Sequence, residues 1–392
     1  MFDMHVELEG SRCVVALEGR IDSANAAEVE KKITGAIADF TGELVLDAQT
    51  LSYISSAGLR VILRLKKANA TTKIINANSE VYEIFDMTGF TEMMDISKAY
   101  REISVDGCEV IGEGANGKVY RIDPDTIVKV YKNRDALEEI HNERELARKA
   151  FVMGVPTAIP YDVVKVGDLY GSVFELLNAQ SFAKLMIANP EQTQEYAKES
   201  VEILKTMHAT HLKRGELPDK KQEALTWVTF CKDYLPAEIG DRLVAMVEAI
   251  PDTDNMLHGD FHIKNIMRQN GENLLIDMDT LAMGHPIFEF AAIYAAYVGF
   301  SCIDRNNVYQ FLGIPYEQAN IFWKATLRYY FDTDDEAVLQ KVEDQAAVIC
   351  YARLLRRTKR KAKEDEAYKA RMLAQCQKEL CERVPRLDTL AF

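Results

Sequence analysis

One stretch constrains this chain more than any other: residues 256–289, MLHGDFHIKNIMRQNGENLLIDMDTLAMGHPIFE. In it Asp260 is followed by Asn265, and Asp277 closes the apolar run Leu274, Leu275, Ile276. Moving a γ-phosphoryl group takes little covalent chemistry. It requires negative phosphates held still and their charge offset by Mg²⁺, a hard cation suited to carboxylate and amide oxygens. A further carboxylate on a tight loop must orient the attacking hydroxyl and accept its proton. The ordered trio therefore predicts a phosphoryl-transfer site with Asp260 as base and Asn265 and Asp277 as Mg²⁺ ligands.

A site of this kind also needs a phosphate cradle. Upstream stands Gly112-Glu113-Gly114-Ala115-Asn116-Gly117-Lys118-Val119, then the turn Asp123-Pro124-Asp125 and the strand-like Ile127-Val128-Lys129-Val130-Tyr131. Gly112, Gly114 and Gly117 let a hairpin backbone come close to phosphates, and Lys129 on the next strand neutralises them. The glycines lead into a strand and not into a helix, which disfavours a dinucleotide fold. Lys129 needs an acidic partner, and of Glu138, Glu139, Glu143 and Glu145 on the helical stretch 136–151 the spacing to Gly154-Val155-Pro156 selects Glu143, with Glu145 in reserve. The run Val173 to Leu177 reads as a strand entering a hinge, whose backbone from Glu175 to Leu177 would meet an adenine edge.

Taken together, GEGANGKV, Lys129, HGDFHIKN, IDMD and GHPIFEFA resemble the aminoglycoside phosphotransferase and choline kinase group of protein-kinase-like folds, from about Cys108 to the C-terminal helices. Asp260 and Asn265 keep the spacing of the catalytic aspartate and metal-binding asparagine in that group. The resemblance implies ATP and Mg²⁺ as cofactors, Asp260 as catalytic base, Asn265 and Asp277 on the metal, and Lys129 on the phosphates. Ile263 stands where a proline is frequent, and Glu289 where an aspartate is. Protein kinases carry a lysine two places after the catalytic aspartate and a long activation segment. Here His262 holds that place, and Asp277 is followed almost at once by Gly284-His285-Pro286. A small hydroxyl-bearing acceptor is expected, such as a cationic amino-alcohol or aminosugar. Its pocket would come from helices between about Pro218 and Ile250 and after Asn306, with Trp227, Tyr234, Asp241, Glu317 and Trp323 as candidates to meet a cation.

The first hundred residues alternate strand-like and helical patterns: a hairpin through Val6 to Leu17, a helical face from Ala26 to Phe40, and a strand at Leu44 to Leu46. A second helical face from Gly58 to Leu65 follows, then a strand at Ile74, a helix at Val81 to Phe85 and a strand near Met93 to Ile96. Leu46-Asp47 through Tyr53-Ile54-Ser55-Ser56-Ala57-Gly58-Leu59-Arg60, with Gly19-Arg20-Ile21-Asp22 and Phe85 to Phe90, resembles a STAS domain, the fold of anti-sigma factor antagonists. The resemblance implies Ser56 as a regulatory phosphorylation site and an anti-sigma factor-like partner. Ser55 replaces the acidic residue that often precedes the switch serine. Phosphate on Ser56 would place about −1.5 to −2 charge at a partner-binding turn.

The fold class predicted is an α+β multidomain chain: a STAS domain over 1–105, small and α/β with a mixed sheet, then a bilobal kinase-like domain over 106–392. The latter divides into a nucleotide-binding lobe at 106–178 and a helical lobe at 179–392. The join YREISVD holds no Gly/Ser/Pro-rich linker, so the parts are expected to pack or communicate. A net charge of −14 disfavours nucleic acid as the main partner. The start lacks a secretory pattern, and the longest apolar run, Phe290 to Ile303, is too short to span a bilayer, so a buried helix and no membrane insertion are expected. Seven cysteines without a CxxC pair suggest reduced thiols in the cytoplasm. In the alternative signalling reading, the kinase-like part senses nucleotide or phosphorylates Ser56.

Overall fold

Cys13, Val15 and Leu17 alternate with more exposed neighbours along one strand, and all three are buried. That period of two seats the strand on a core. The computed structural model describes residues 2–38, 40–114, 116–176, 179–361 and 365–392. The chain divides into two compact units, Met1–Gly107 with Val163–Gly171, and Cys108–Asp162 with Ser172–Phe392.

In the first unit β1 (Phe2–Glu9) and β2 (Arg12–Ile21) form an antiparallel hairpin that turns at Gly10, whose φ is +61°. Then come α1 (Ala26–Ala36), β3 (Glu43–Ile54), α2 (Ser56–Ala68), β4 (Lys73–Ala77), α3 (Ser79–Met87), α4 (Phe90–Met93) and β5 (Ile96–Lys98). The sheet runs β1-β2-β3-β4-β5, with every pairing after the hairpin parallel. Parallel pairs need crossovers, and the helices between strands supply them. Val29, Ile33, Val61, Ile62 and Phe85 pack helices onto the sheet. Met93 ends α4 instead of opening the last strand. Gly89, at φ +74°, lets a helical turn restart at Phe90, whose ring meets Phe85 at 5.8 Å.

After β6 (Arg101–Glu102), the second unit opens with the meander β7 (Glu109–Glu113), β8 (Gly117–Asp123) and β9 (Thr126–Tyr131), followed by α5 (Leu137–Val152). The hairpin of β10 (Asp162–Val166) and β11 (Leu169–Glu175) then turns at Gly167. Its residues 163–171 belong to the first unit. There Val164 and Lys165 pair in parallel with Arg101 and Glu102, and the Tyr170 ring lies edge-on to Tyr100 at 5.4 Å.

The remainder of the second unit is mainly helical. In order it contains β12 (Gln180–Ser181), α6 (Phe182–Ala188), α7 (Thr193–His208), α8 (Lys220–Lys232) and α9 (Ala237–Glu248). Short strands β13 (Met256–Leu257), β14 (Ile266–Gln269), β15 (Glu272–Leu275) and β16 (Ala282–Met283) precede α10 (Ile287–Tyr297), α11 (Asn306–Leu312), α12 (Tyr316–Phe331), α13 (Glu336–Arg360) and α14 (Glu366–Arg383). Every residue of α10 is buried. A helix apolar on all sides belongs at the centre of a core, and Phe290 and Tyr294 meet Trp323 of α12 there. Among the described residues no helix is long and apolar enough to cross a membrane.

Candidate functional site

β9 carries Lys129 and Tyr131 two residues apart, and α5 lays Glu143 against both. Lys129 Nζ lies 2.9 and 3.1 Å from the two Glu143 carboxylate oxygens and 3.1 Å from Asp277 Oδ1. The Tyr131 hydroxyl donates to Glu143 Oε2 and lies 3.4 Å from the Ser172 hydroxyl. Burial alone would pull the Lys129 pKa down, but Glu143 and Asp277 hold it above its ordinary value. Burial, then the Glu143 charge, pushes the Tyr131 hydroxyl up, so it stays a donor. Glu143 is 5% exposed, whereas Glu145 faces solvent.

The glycine-rich turn joins β7 to β8. Gly114 N–H donates to the Gly117 carbonyl at 2.9 Å, and Lys132 Nζ donates to the Gly114 carbonyl at 2.8 Å. A Cβ at Gly117 would stand 2.5 Å from the Val130 carbonyl oxygen, so the hairpin tolerates no side chain there. Gly112 and Gly114 are open to added volume by comparison. Of the expected hinge, Glu175 ends β11 with its side chain exposed, and Leu177 lies outside the described residues. The Leu176 N–H already donates to the Asp125 carbonyl at 2.7 Å, which removes that amide as a donor to a nucleobase.

The loop from His258 to Asn265 is held from beneath. Buried Glu289 of α10 accepts the backbone N–H of His258 at 2.5 Å and that of Gly259 at 3.0 Å. Thr280 donates to the His258 carbonyl at 2.8 Å. Gly259 sits at φ +82°, and a Cβ there would lie 2.4 Å from the Thr280 carbonyl oxygen. The longer glutamate thus reaches the loop backbone directly. Asp260 faces outward with its side chain about half exposed, and His262 Nε2 lies 3.5 Å from its Oδ2. Burial alone would raise the Asp260 pKa, but His262, His258 and Arg353 together hold it below its ordinary value, so this carboxyl is ionised.

Asn265 is 6% exposed, and its Nδ2 donates to the Asp260 carbonyl at 3.0 Å. Its Oδ1 takes no hydrogen bond among the described residues. Asp277 adopts the left-handed conformation at φ +66°, which turns it off the strand end toward Lys129. Burial, then the like charges of Asp277 and Glu143, pushes Asp279 up to about 7. This concentration of carboxylates around one lysine, with a free amide oxygen, fits a divalent cation. Among the described residues no three His, Cys, Asp or Glu side chains form a metal site by themselves. Sequence reasoning missed Tyr131, although it shares a strand face with Lys129.

The candidates for a cationic acceptor are engaged elsewhere. Trp227 lies between Lys220 Nζ and the Arg353 guanidinium, 5.7 and 5.5 Å from its ring. Lys359 Nζ covers Tyr234 at 4.3 Å, and Trp323 is fully buried with its Nε1 on Glu343. Asp241 pairs with Lys232, and Glu317 lies 3.8 Å from Arg305.

Residues 107–317, more than half of the chain, match the phosphotransferase enzyme family, and residues 4–103 match the STAS domain. The chain belongs to that phosphotransferase family and begins with a STAS domain. BtrV of Bordetella bronchiseptica, named as an anti-sigma factor antagonist, is 30% identical over 90 residues, which are 22% of this chain and 78% of that protein. The GDP complex of wild-type aminoglycoside 2'-phosphotransferase-IIIa is similar in fold at a TM-score of 0.50, with 15% identity over 77% of this chain and 98% of that one. The ADP-bound aminoglycoside phosphotransferase APH(2'')-Ib gives a TM-score of 0.49 and 14% identity over 77% and 98% of the two chains.

Proposed function

We propose that the protein transfers the γ-phosphoryl group of ATP to the hydroxyl of a small acceptor with Mg²⁺ as cofactor, and that its STAS domain is a regulatory, partner-binding module. The observation that carries this reading is Lys129 Nζ set between Glu143 and Asp277, at 2.9 and 3.1 Å. In this reading Gly112, Gly114 and Gly117 cover the phosphates and Lys129, oriented by Glu143, neutralises them. Glu175 and the adjoining hinge border the base. Asn265 and Asp277 would hold Mg²⁺, which when bound offsets phosphate charge and aligns the transferred group. Asp260 accepts the hydroxyl proton as the oxygen attacks phosphorus.

The division into a STAS domain at 1–105 and a two-lobed domain at 106–392, and a cytoplasmic location, belong to the same proposal. Seven free thiols support the latter. The acceptor's own charge is a matter of the side chains around Asp260, not of the phosphate site, and amino-alcohols and aminosugars are the first compounds to try. The test is ATP consumption by the full chain over a panel of hydroxyl compounds, with Asp260→Asn beside it. Product that forms with the wild type and vanishes with Asp260→Asn supports transfer. ATP that binds but is never consumed removes it.

A second reading rests on Ser55 and Ser56. The cap of α2 is Ser55, whose Oγ accepts from the Gly58 N–H at 3.4 Å, while Ser56 is the exposed first residue of the helix. That leaves the Ser56 hydroxyl open to phosphorylation, with an anti-sigma factor-like protein as the partner it would release by repulsion. The kinase-like part would then sense nucleotide or act on Ser56 itself. Intact mass after incubation with Mg-ATP decides the latter. An added phosphate that persists in Ser56→Ala rules it out.

A further inference from the structure

After α14 the chain runs on through residues 384–392, a short 3₁₀ turn followed by irregular backbone. Carbonyls in such a segment need partners from elsewhere, and two long side chains supply them. Arg242 of α9 donates from Nε to the Val384 carbonyl at 3.1 Å and from a terminal nitrogen to that of Leu387 at 2.8 Å. Gln345 of α13 donates from Nε2 to the Thr389 and Ala391 carbonyls at 3.1 and 2.9 Å.

Gln345 is the informative member of this pair. It is fully buried, next in sequence to buried Ala346, Ala347 and Val348, and its Oε1 has no partner among the described residues. An amide left half satisfied in a core costs stability that an apolar side chain would not. What it secures is the course of residues 389–391, and with it the place of Phe392.

Phe392 lies on the two residues that bracket Glu289. Its ring meets His285 at 4.9 Å and Phe290 at 5.7 Å, and it also meets Phe331 of α12 at 4.8 Å. His285 Nδ1 in turn accepts the Ile287 N–H at 3.1 Å, which satisfies one of the free amides at the start of α10. Phe290 directly follows Glu289, whose carboxylate carries the His258 and Gly259 amides just before Asp260.

We propose that residues 384–392 form a strap that positions the catalytic loop, with Phe392 as a positioning residue acting through His285, Phe290 and Glu289 on the His258-Gly259 backbone. That this loop is catalytic rests on the phosphotransferase reading, whereas the mechanical link does not. A carboxylate holds two backbone amides in one place only if its own helix is held, and the strap fixes the end of α10 from which Glu289 projects. Phe392 is 44% exposed, so its removal forfeits little burial. Its effect falls on the loop and not on the stability of the whole fold.

Amide hydrogen exchange of the full chain, read by mass spectrometry with fragmentation to single residues, tests the link without any substrate. In the wild type the His258 and Gly259 amides should exchange slowly, being bonded to a buried carboxylate. Phe392→Ala should speed both about tenfold, the equilibrium equivalent of one lost ring contact, and leave the amides inside α7 and α8 as protected as before. Phe392→Tyr should restore wild-type exchange. Gln345→Leu, which keeps the core apolar and releases the Thr389 and Ala391 carbonyls, should speed the same two amides and keeps the test open if the Phe392 variant misfolds.

In turnover, Phe392→Ala should lower kcat about tenfold with less change in the KM for ATP, because Asp260 moves with the loop while Lys129 and Glu143 stand on other elements. Exchange at His258 and Gly259 that is unchanged in both variants, or raised evenly along the whole chain, overturns the strap. Faster exchange at these two amides without any Asp260-dependent use of ATP leaves the strap standing and removes the phosphotransferase reading instead.

Discussion

The Lys129 cluster and the arginines of α13 are built on opposite terms. In the cluster Lys129, Glu143, Tyr131 and Asp277 answer one another, with the lysine held at 2.9 and 3.1 Å by two carboxylates. On α13 Arg353 and Arg357 rest on aromatic rings and meet no carboxylate among the described residues. The Lys129 cluster is held in position by its own paired charges, whereas the two arginines are held by ring contacts.

Substitutions in and around each region can break this contrast or sharpen it. Asp260→Asn keeps the shape of the catalytic loop and removes the base. It should lower kcat by about 10²–10⁴-fold in an ATP-consumption assay while nucleotide affinity stays in place. An equal loss of nucleotide affinity would mean that Asp260 and the Lys129 cluster are not separable.

Glu289, which holds the catalytic loop, has its carboxyl pushed by burial from 4.5 up to about 7, against the pull of the two backbone donors. The folded protein therefore binds this proton more tightly than the unfolded chain. Its contribution to stability is fully present below pH 4.5 and lost as pH rises through about 7, a change of roughly 3 kcal/mol. Urea unfolding at pH 5 and pH 8 should show that loss in the wild type, and Glu289→Gln should lack it.

In the Lys129 cluster, Tyr131→Phe deletes one donor to a buried carboxylate, worth about 1–2 kcal/mol. It should raise the KM for ATP about tenfold with less change in kcat, by initial-rate kinetics. An unchanged KM would show that Glu143 needs no help in orienting Lys129. The smallest effect belongs to α13. Arg357→Gln should cost about 0.5 kcal/mol of stability, the value of a last-turn cation, and leave the ATP KM alone. A matching shift in ATP KM would tie α13 to the Lys129 cluster.

The same contrast explains what could be read from the sequence. Asp260, Asn265 and Asp277 stand in one short segment, and Lys129 follows its glycines closely, because phosphate chemistry dictates both residue type and order. The STAS segment was legible through strand periodicity and the Ser55 to Arg60 turn, although Gly89 restarted a helix where a strand was expected. The stacking of Arg353 on Trp227 was not legible, since the two lie 126 positions apart and the mixed charges of α13 look like an ordinary solvated face. The hairpin at 163–171 also escaped a linear reading. Its grouping with the first unit depends on pairing with Arg101 and Glu102, more than sixty residues earlier.

The paired serines of the STAS turn divide labour that many helices give to one residue. Ser55 closes the first turn of α2, and Ser56 contributes nothing to that closure. A charge added to the second hydroxyl would leave the cap intact and sit on the favourable end of the helix dipole. The domain can then change what it presents to another protein without becoming any less rigid, so a phosphorylated form should melt no lower than the unmodified one.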